Sequence, residues 1–355
     1  MKKLVFAALI LLLTACGNAG EPSAATAAKA PEGKLYIYNW GDYIDPELIT
    51  RFTDETGIKV TYDEFDTNES MYAKLKPGNS NYDLIIPSDY MLEKMQSEGM
   101  LLPIDMDNVP NAEYIDRRVE DKYFGTGVTN YSDYAVPYMW GTLGILYNTT
   151  MVDETVDSWD ILWDEKYADE IYMYDSQRDS LTPALVKLGY SINTTNLDEL
   201  NAAKDLLIAQ KPLVQAYLGD QVKDKMIGGE AALALVFSGD AVFCAAENPD
   251  LAFAVPKEGS NVWLDAMAIP VGSLNKENAE KFINFMCDPE VAAQNSEYIG
   301  FTTTNAEALK YIPDELKNTT GYIPPDDVFE TCEFYRDLKD FLKEYDRAWT
   351  ELLAR

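Results

Sequence analysis

Among 355 residues there is no histidine. That removes Ser-His-Asp and Cys-His catalysis and every histidine-ligated zinc or iron centre. Cysteine is scarce: Cys16, Cys244, Cys287 and Cys332 are widely separated and show no CxxC spacing. The last three cannot all pair with one another. Cys244 lies in the apolar run Ala241-Val242-Phe243-Cys244-Ala245, so a buried free thiol is expected there, with no essential disulfide and no structural metal. Positive charge is also thin, with 29 Lys and Arg against 60 Asp and Glu, a net charge of −31. Such a field repels nucleic acid and anionic lipid and favours cationic solutes. No Gly-rich phosphate loop, Walker motif or internal repeat is present, so no ATPase chemistry is expected of this chain.

Long apolar runs are missing too, with one exception at the N-terminus. Lys2 and Lys3 precede ten apolar residues, Leu4 to Leu13, and Thr14-Ala15-Cys16 follow. The run is too short to span a bilayer, which takes about 20 residues. A basic start, a short apolar stretch and small residues before a cysteine form the pattern of a bacterial lipoprotein signal. The expectation is a signal peptide over 1–15, cleaved to leave a lipidated Cys16, with the protein held outside the cytoplasm at a membrane surface. Residues 17–33 are rich in Ala, Gly, Ser and Pro and hold no large apolar side chain. They read as a tether that would span roughly 20–25 Å as a coil.

About 320 residues remain, enough for two domains, and a 47% apolar content allows full cores. Strands are expected at 35–40, 58–62, 83–87, 134–138, 142–147, 171–174, 232–237, 251–255 and 266–270. Asp45, Pro46 and Gly57 bracket a helix whose apolar face is Leu48, Ile49 and Phe52. Further helices are expected around 71–75, from Ser88 onward, and near 183–190, 198–209, 276–287 and 329–352. The alternation predicts an α/β fold with a doubly wound, parallel sheet.

In such a fold, ligands bind where strands end and helices begin. Those positions carry Trp40-Gly41-Asp42-Tyr43, Ser88-Asp89-Tyr90, Asp175 with Asp179, and Ser238-Gly239-Asp240 after Phe237. Trp263 and Asp265 stand just before the 266–270 strand. Carboxylates recur beside aromatic rings, and Arg178 is the one basic residue among them. Ring faces attract ammonium groups by about 0.5–2 kcal/mol, and a carboxylate hydrogen bond adds about 1.5–3 kcal/mol. A linear di- or triamine matches this combination. Each residue also has a plainer role available: Ser88 as a helix cap, Asp89 as a dipole partner, the tryptophans as core.

Several segments resemble the spermidine/putrescine-binding proteins of ABC importers. They include Tyr-Asn-Trp-Gly-Asp-Tyr-Ile at 38–44, Phe-Thr-Asp-Glu-Thr-Gly-Ile-Lys-Val at 52–60 and Asn-Glu-Ser-Met-Tyr-Ala-Lys-Leu at 68–75. Others are Tyr-Asp-Leu-Ile-Ile-Pro-Ser at 82–88, Pro-Tyr-Met-Trp-Gly at 137–141, Lys-Leu-Gly-Tyr-Ser at 187–191, Val-Pro-Lys-Glu-Gly at 255–259, Trp-Leu-Asp-Ala-Met-Ala-Ile-Pro at 263–270 and Ile-Asn-Phe at 283–285. The resemblance covers nearly all of 34–350. It implies a type II periplasmic-binding fold, with two doubly wound lobes, a hinge and a ligand cleft between them. Lobe 1 would comprise 34–138 plus 265–308, and lobe 2 would comprise 139–264 plus 309–355. Trp40 and Tyr43 would cage the amine, and Ser88 and Tyr90 would touch it from the same lobe. Asp179 would bind a terminal amine, Trp263 would stack on the methylenes, and Asp265 would pair with an ammonium. Phe237 stands where the family has tryptophan, Ser176 where the spermidine type has an acid, Phe301 where it has tyrosine, and Tyr335 near a late glutamine. Asp240 and Asp89 are closer to the putrescine type.

The resemblance also implies a monomeric binding component, with no cofactor, that delivers its amine to membrane permease subunits. Competing expectations are the same fold holding another small cation or amine, a tyrosine-bound ferric ion (though no two tyrosines are adjacent), and a surface glycosidase using paired carboxylates.

Overall fold

A computed structural model describes residues 33–78, 80–124 and 133–355. The expected signal peptide, Cys16 and all but the last residue of the tether lie outside the described residues.

The chain begins with β1 (Gly33–Trp40), α1 (Pro46–Thr56), β2 (Ile58–Phe65), α2 (Asn68–Leu75), β3 (Leu84–Ile85) and α3 (Asp89–Ser97). The Asp45 carboxylate accepts from Glu47 N at the start of α1, and Gly57 closes it in the left-handed region at φ 72°. Next come β4 (Leu101–Leu102), α4 (Arg117–Phe124) and a long β5 (Ala135–Asn148). The second half holds β6 (Ile171–Tyr174), α5 (Gln177–Lys187), α6 (Leu197–Gln210), β7 (Val214–Leu218), α7 (Gln221–Ile227), β8 (Leu233–Phe237), α8 (Ser238–Glu247) and β9 (Leu251–Ala254). Then β10 (Val262–Pro270) returns to the first half, followed by α9 (Lys276–Met286), α10 (Pro289–Ile299) and β11 (Thr302–Thr303). The chain ends with α11 (Asp314–Lys317), α12 (Asp326–Thr331) and α13 (Leu342–Leu353).

One continuous path of strands runs β2-β1-β3-β10-β5-β8-β6-β7. At its two ends β1 pairs parallel with β2 and β3, and β6 pairs parallel with β7 and β8. The two central strands differ from the expected parallel sheet. β5 and β10 lie antiparallel to each other and to the strands flanking them. Both are long because each crosses from one half to the other, so 134–138 and 142–147 form one strand. β10 starts at Val262, four residues earlier than expected, and thereby takes in Trp263 and Asp265.

Hydrophobic cores form on either side of these crossings. Leu35, Ile37, Phe52, Leu84, Met267 and Phe282 pack in one half. Leu143, Ile145, Trp159, Leu185, Leu207 and Leu235 pack in the other. The expected helix over 329–352 is broken: α12 stops at Thr331 and α13 starts at Leu342. Its apolar residues serve two cores: Phe329, Cys332 and Phe334 pack with Met91 and Leu264, whereas Leu338, Tyr345 and Leu352 pack with Leu200 and Leu207. A straight helix cannot face both. α5 starts six residues before the expected 183, and Pro183 lies inside it. Cys244, Cys287 and Cys332 are free and buried.

Candidate functional site

Asp265 is positioned by two irregularities. Its pairing with β5 shifts register between Asp265 and Ala266, a bulge that re-aims the side chain. On the other side Asp265 forms an isolated antiparallel bridge with Ser88, just beyond β3. The Tyr43 hydroxyl donates to Asp265 Oδ2 at 2.7 Å. Tyr43 is fixed in turn, since its carbonyl accepts from the Tyr138 hydroxyl at 2.6 Å. Asp265 is only 6% exposed, and its other oxygen, Oδ1, has no protein hydrogen-bond partner. Burial pushes this carboxyl up to about 6, with Ser88 and Tyr43 acting in the opposite direction.

From this carboxylate a row of rings crosses between the halves. Tyr43 meets Phe301 at 5.8 Å between centroids, Phe301 meets Trp263 at 5.4 Å, Trp263 meets Phe237 at 6.3 Å, and Phe237 meets Tyr174 at 5.2 Å. All four contacts are edge-to-face, the favoured geometry for aromatic pairs. Two glycines make the row possible. A Cβ on Gly239 would overlap the Phe301 ring, and one on Gly141 would lie 2.6 Å from both Ser238 Oγ and Trp263 Cζ2. Trp263 Nε1 is buried without a protein acceptor.

The far end of the row carries two more carboxylates. Burial raises the Tyr174 pKa, and the charges of Asp240 and then Asp179 raise it further. Asp179, in the first turn of α5, accepts from the Tyr335 hydroxyl at 3.0 Å. Tyr335 also shares a 2.8 Å hydrogen bond with Thr182 Oγ1, and the Arg178 guanidinium lies 4.2 Å above its ring. Arg178 is tied to Ile192 O and Asn193 Oδ1, so it braces Tyr335. Asp240, in the first turn of α8, is ion-paired with Lys223 at 3.4 Å. Burial raises both the Asp179 and Asp240 carboxyls.

The remaining predicted residues belong to the first half. Trp40 Nε1 donates to Ile86 O at 3.0 Å, and its ring packs on Phe65 at 4.6 Å. Asn68 Nδ2 donates to both Ser88 Oγ and Tyr90 Oη at 3.1 Å. Ser88 stands at the N-cap of α3 but makes no side-chain cap bond. Asp89 is buried, its Oδ1 accepts from Tyr90 N at 2.6 Å, and its Oδ2 has no protein partner. Burial pushes it up to about 8, with the neighbouring Asp265 charge adding to the rise. Asp42 stands apart, exposed in a turn at φ 50°, and Asp175 after β6 is exposed as well.

Thus Tyr43, Phe237, Trp263, Asp265 and Phe301 are brought together, and Asp179 is joined to Tyr335. Sequence reasoning missed Tyr174, although it ends a predicted strand beside Asp175. It also missed Asn68, Tyr138 and Thr182, which carry no local signal. Arg178 was not the only relevant base, since Lys223 reaches Asp240 across 17 residues of sequence. Among the described residues no group of three or more Cys, Asp or Glu is arranged to hold a metal ion. No described helix is long and apolar enough to cross a membrane.

Residues 47–324 match the family model of bacterial extracellular solute-binding proteins. The chain belongs to that family. It is 37% identical over 322 residues to the spermidine/putrescine-binding periplasmic protein of Escherichia coli K12, covering 90% of this chain and 91% of that one. Among solved structures, it resembles the spermidine/putrescine ABC transporter substrate-binding protein PotD from Streptococcus pneumoniae with a TM-score of 0.83 and 40% identity, over 91% of this chain and 99% of the other. It also resembles the Tp0655 (TpPotD) lipoprotein of Treponema pallidum with a TM-score of 0.82 and 30% identity, over 91% and 100% of the two chains. The two α/β halves joined by β5 and β10 are the solute-binding fold expected from the sequence.

Proposed function

We propose that this protein is the extracytoplasmic substrate-binding component of a polyamine ABC importer and captures a protonated linear amine such as putrescine or spermidine. The observation that carries this reading is the row of rings from Tyr43 to Tyr174, with Asp265 at one end and Asp179 and Asp240 at the other. Methylenes lie well on ring edges and faces, and ammonium groups need carboxylates. The unpartnered Asp265 Oδ1 is a buried acceptor suited to an ammonium donor. In water-poor surroundings an unpaired carboxylate is costly, so a cationic ligand gains by pairing with it. The names of the relatives support the same solute class.

On this reading lobe 1 is 34–138 plus 265–308 and lobe 2 is 139–264 plus 309–355, with residues 326–337 straddling the two. The lobes close on the amine by hinge motion, and the closed form is what the permease subunits receive. The apparent affinity includes the free-energy cost of closure. Lipid on Cys16 holds a monomer at the membrane within reach of the transporter, and the site binds its solute without chemical change. Trp40, Ser88, Asp89 and Tyr90 form the lobe 1 wall, and Asp42 lies at its rim.

Calorimetric titration of the purified protein with putrescine, spermidine, spermine, cadaverine and agmatine tests the proposal. Saturable binding of at least one amine is expected. No heat of binding with any of them at millimolar concentration would sink it.

A further inference from the structure

Three of the carboxylates near the ring row differ in their electrostatic partners. Neither Asp265 nor Asp179 has an ion pair among the described residues; each accepts instead from a tyrosine hydroxyl, Tyr43 and Tyr335 respectively. Asp240 has a resident cation, with Lys223 Nζ 3.4 Å from its Oδ1. The Asp240 side chain is 14% exposed and that of Lys223 30%, so their attraction is only partly screened by water. Asp89, the remaining buried acid, is pushed up to about 8 and is mostly protonated at neutral pH.

The Lys223 ammonium is held there by the packing of two helices. α7 and α8 share a core of Val222, Met226, Ala241 and Cys244, which fixes the Lys223 backbone beside the first turn of α8. Asp220 and Asp240 both favour the charged form of Lys223, against the cost of burial. Asp240 follows Gly239, whose backbone lies against the Phe301 ring, so the first turn of α8 borders the ring row. A ligand ammonium arriving at Asp240 must therefore displace Lys223 or stand beside it, like charge against like.

We propose that Lys223 is a specificity-determining residue: its ammonium is a built-in counter-ion for Asp240, which leaves two free carboxylates in the site and selects linear amines with two positive charges over those with three. This rests on the polyamine reading of the same site. Here Asp265 and Asp179 remain for the charges of a diamine, while the third charge of a triamine meets a carboxylate that is already neutralised.

The test is calorimetric titration of the full chain and three variants, Lys223→Gln, Asp240→Asn and the double variant, with putrescine and spermidine at pH 7.5. The wild type should bind putrescine more tightly. Lys223→Gln should free Asp240 and shift the spermidine-to-putrescine affinity ratio toward spermidine by about ten- to a hundredfold, the worth of one charge-assisted hydrogen bond. The double variant should return the ratio to that of the wild type, which a merely structural role for Lys223 would not produce. Asp240→Asn alone should weaken both amines, because Lys223 is left unpaired beside them. An unchanged ratio in Lys223→Gln, with both amines still bound, overturns the role of Lys223 and leaves the polyamine reading standing. Failure of the wild type to bind either amine overturns both. Should Lys223→Gln fail to fold, a wild type that prefers spermidine is by itself enough to overturn the proposal.

Discussion

The hydroxyl of Tyr43 donates to Asp265 Oδ2 at 2.7 Å, joining residues 222 positions apart in the chain. Tyr43 follows β1, and Asp265 sits at a bulge in the strand that returns from the other half. The bond uses one carboxylate oxygen and leaves Oδ1 without a protein partner. One oxygen is thus engaged in orienting the group, and the other stays available.

Removing that bond with Tyr43→Phe should weaken amine binding by about ten- to a hundredfold, the worth of a hydrogen bond to a charged group. The ring contacts with Tyr138 and Phe301 survive the change. The Asp265 pKa should rise further, because the hydroxyl favours the ionised form. The loss of affinity should therefore be larger at pH 6 than at pH 8, as measured by titration at both.

Affinity should also depend on pH in the wild type. Asp265 is pushed up to about 6 in the free protein, whereas an amine pairs with its ionised form. Binding then expels protons, and affinity should rise as pH increases from 5 to 8. The slope approaches tenfold per pH unit for each proton released. Titrations in buffers of different ionisation enthalpy would count those protons, and equal heats in all buffers would count against this linkage.

Asp89 should make stability pH-dependent even without ligand. Its folded pKa of about 8 lies above the ordinary value of 3.8, so the folded chain holds a proton that the unfolded chain releases. The corresponding stability is fully present below pH 3.8 and lost as pH rises through 8. Asp89→Asn should accordingly raise the melting temperature at pH 9 and change it little at pH 4. Equal shifts at both pH values would mean that the carboxyl is not the cause.

Tyr335→Phe removes the donor to Asp179 and the shared bond to Thr182. An incompletely satisfied buried carboxylate costs about 1–3 kcal/mol. The variant should lose stability in that range in urea unfolding and bind amines at least several-fold more weakly. Thr182→Val, which leaves the Asp179 bond intact, should affect binding less.

Gly239→Ala places a methyl where the Phe301 ring stands. Amine binding should fall sharply, and the double variant with Phe301→Ala should recover part of it. Without any recovery, the contact between α8 and Phe301 would not be the reason that glycine is needed.

Cys16→Ser should release the protein from membranes into the soluble fraction while leaving its amine affinity in solution unchanged. Retention of the variant in the membrane fraction would rule out lipid on Cys16 as the anchor.

Local chemistry explains which parts of the fold were legible in the sequence. The caps of α1, Asp45 with Pro46 and Gly57, act within a few residues and were readable as written. So were β1 and β6, whose aromatic and β-branched runs end in turn signals. The break between α12 and α13 was not, because Phe329, Phe334, Leu338 and Tyr345 keep a helical spacing while serving two different cores. The length of β10 was obscured for a related reason: Trp263 and Asp265 read as a polar-aromatic lead-in, and only pairing with β5 shows them to be strand residues. At the site, the acids at strand ends were visible because strand and helix boundaries are local. The partners of those acids were not. Tyr335 reaches Asp179 over 156 residues, and Lys223 reaches Asp240 from a separate helix. Such pairings are set by tertiary packing, which periodicity does not encode.

On this reading a cationic amine lies along the ring row with one end on Asp265. A crystal structure of the putrescine complex tests it most directly. An ammonium nitrogen is expected within hydrogen-bond distance of Asp265 Oδ1, with methylenes in contact with Trp263 and Phe301. An ordered putrescine bound elsewhere, with Asp265 Oδ1 still lacking a partner, would contradict it.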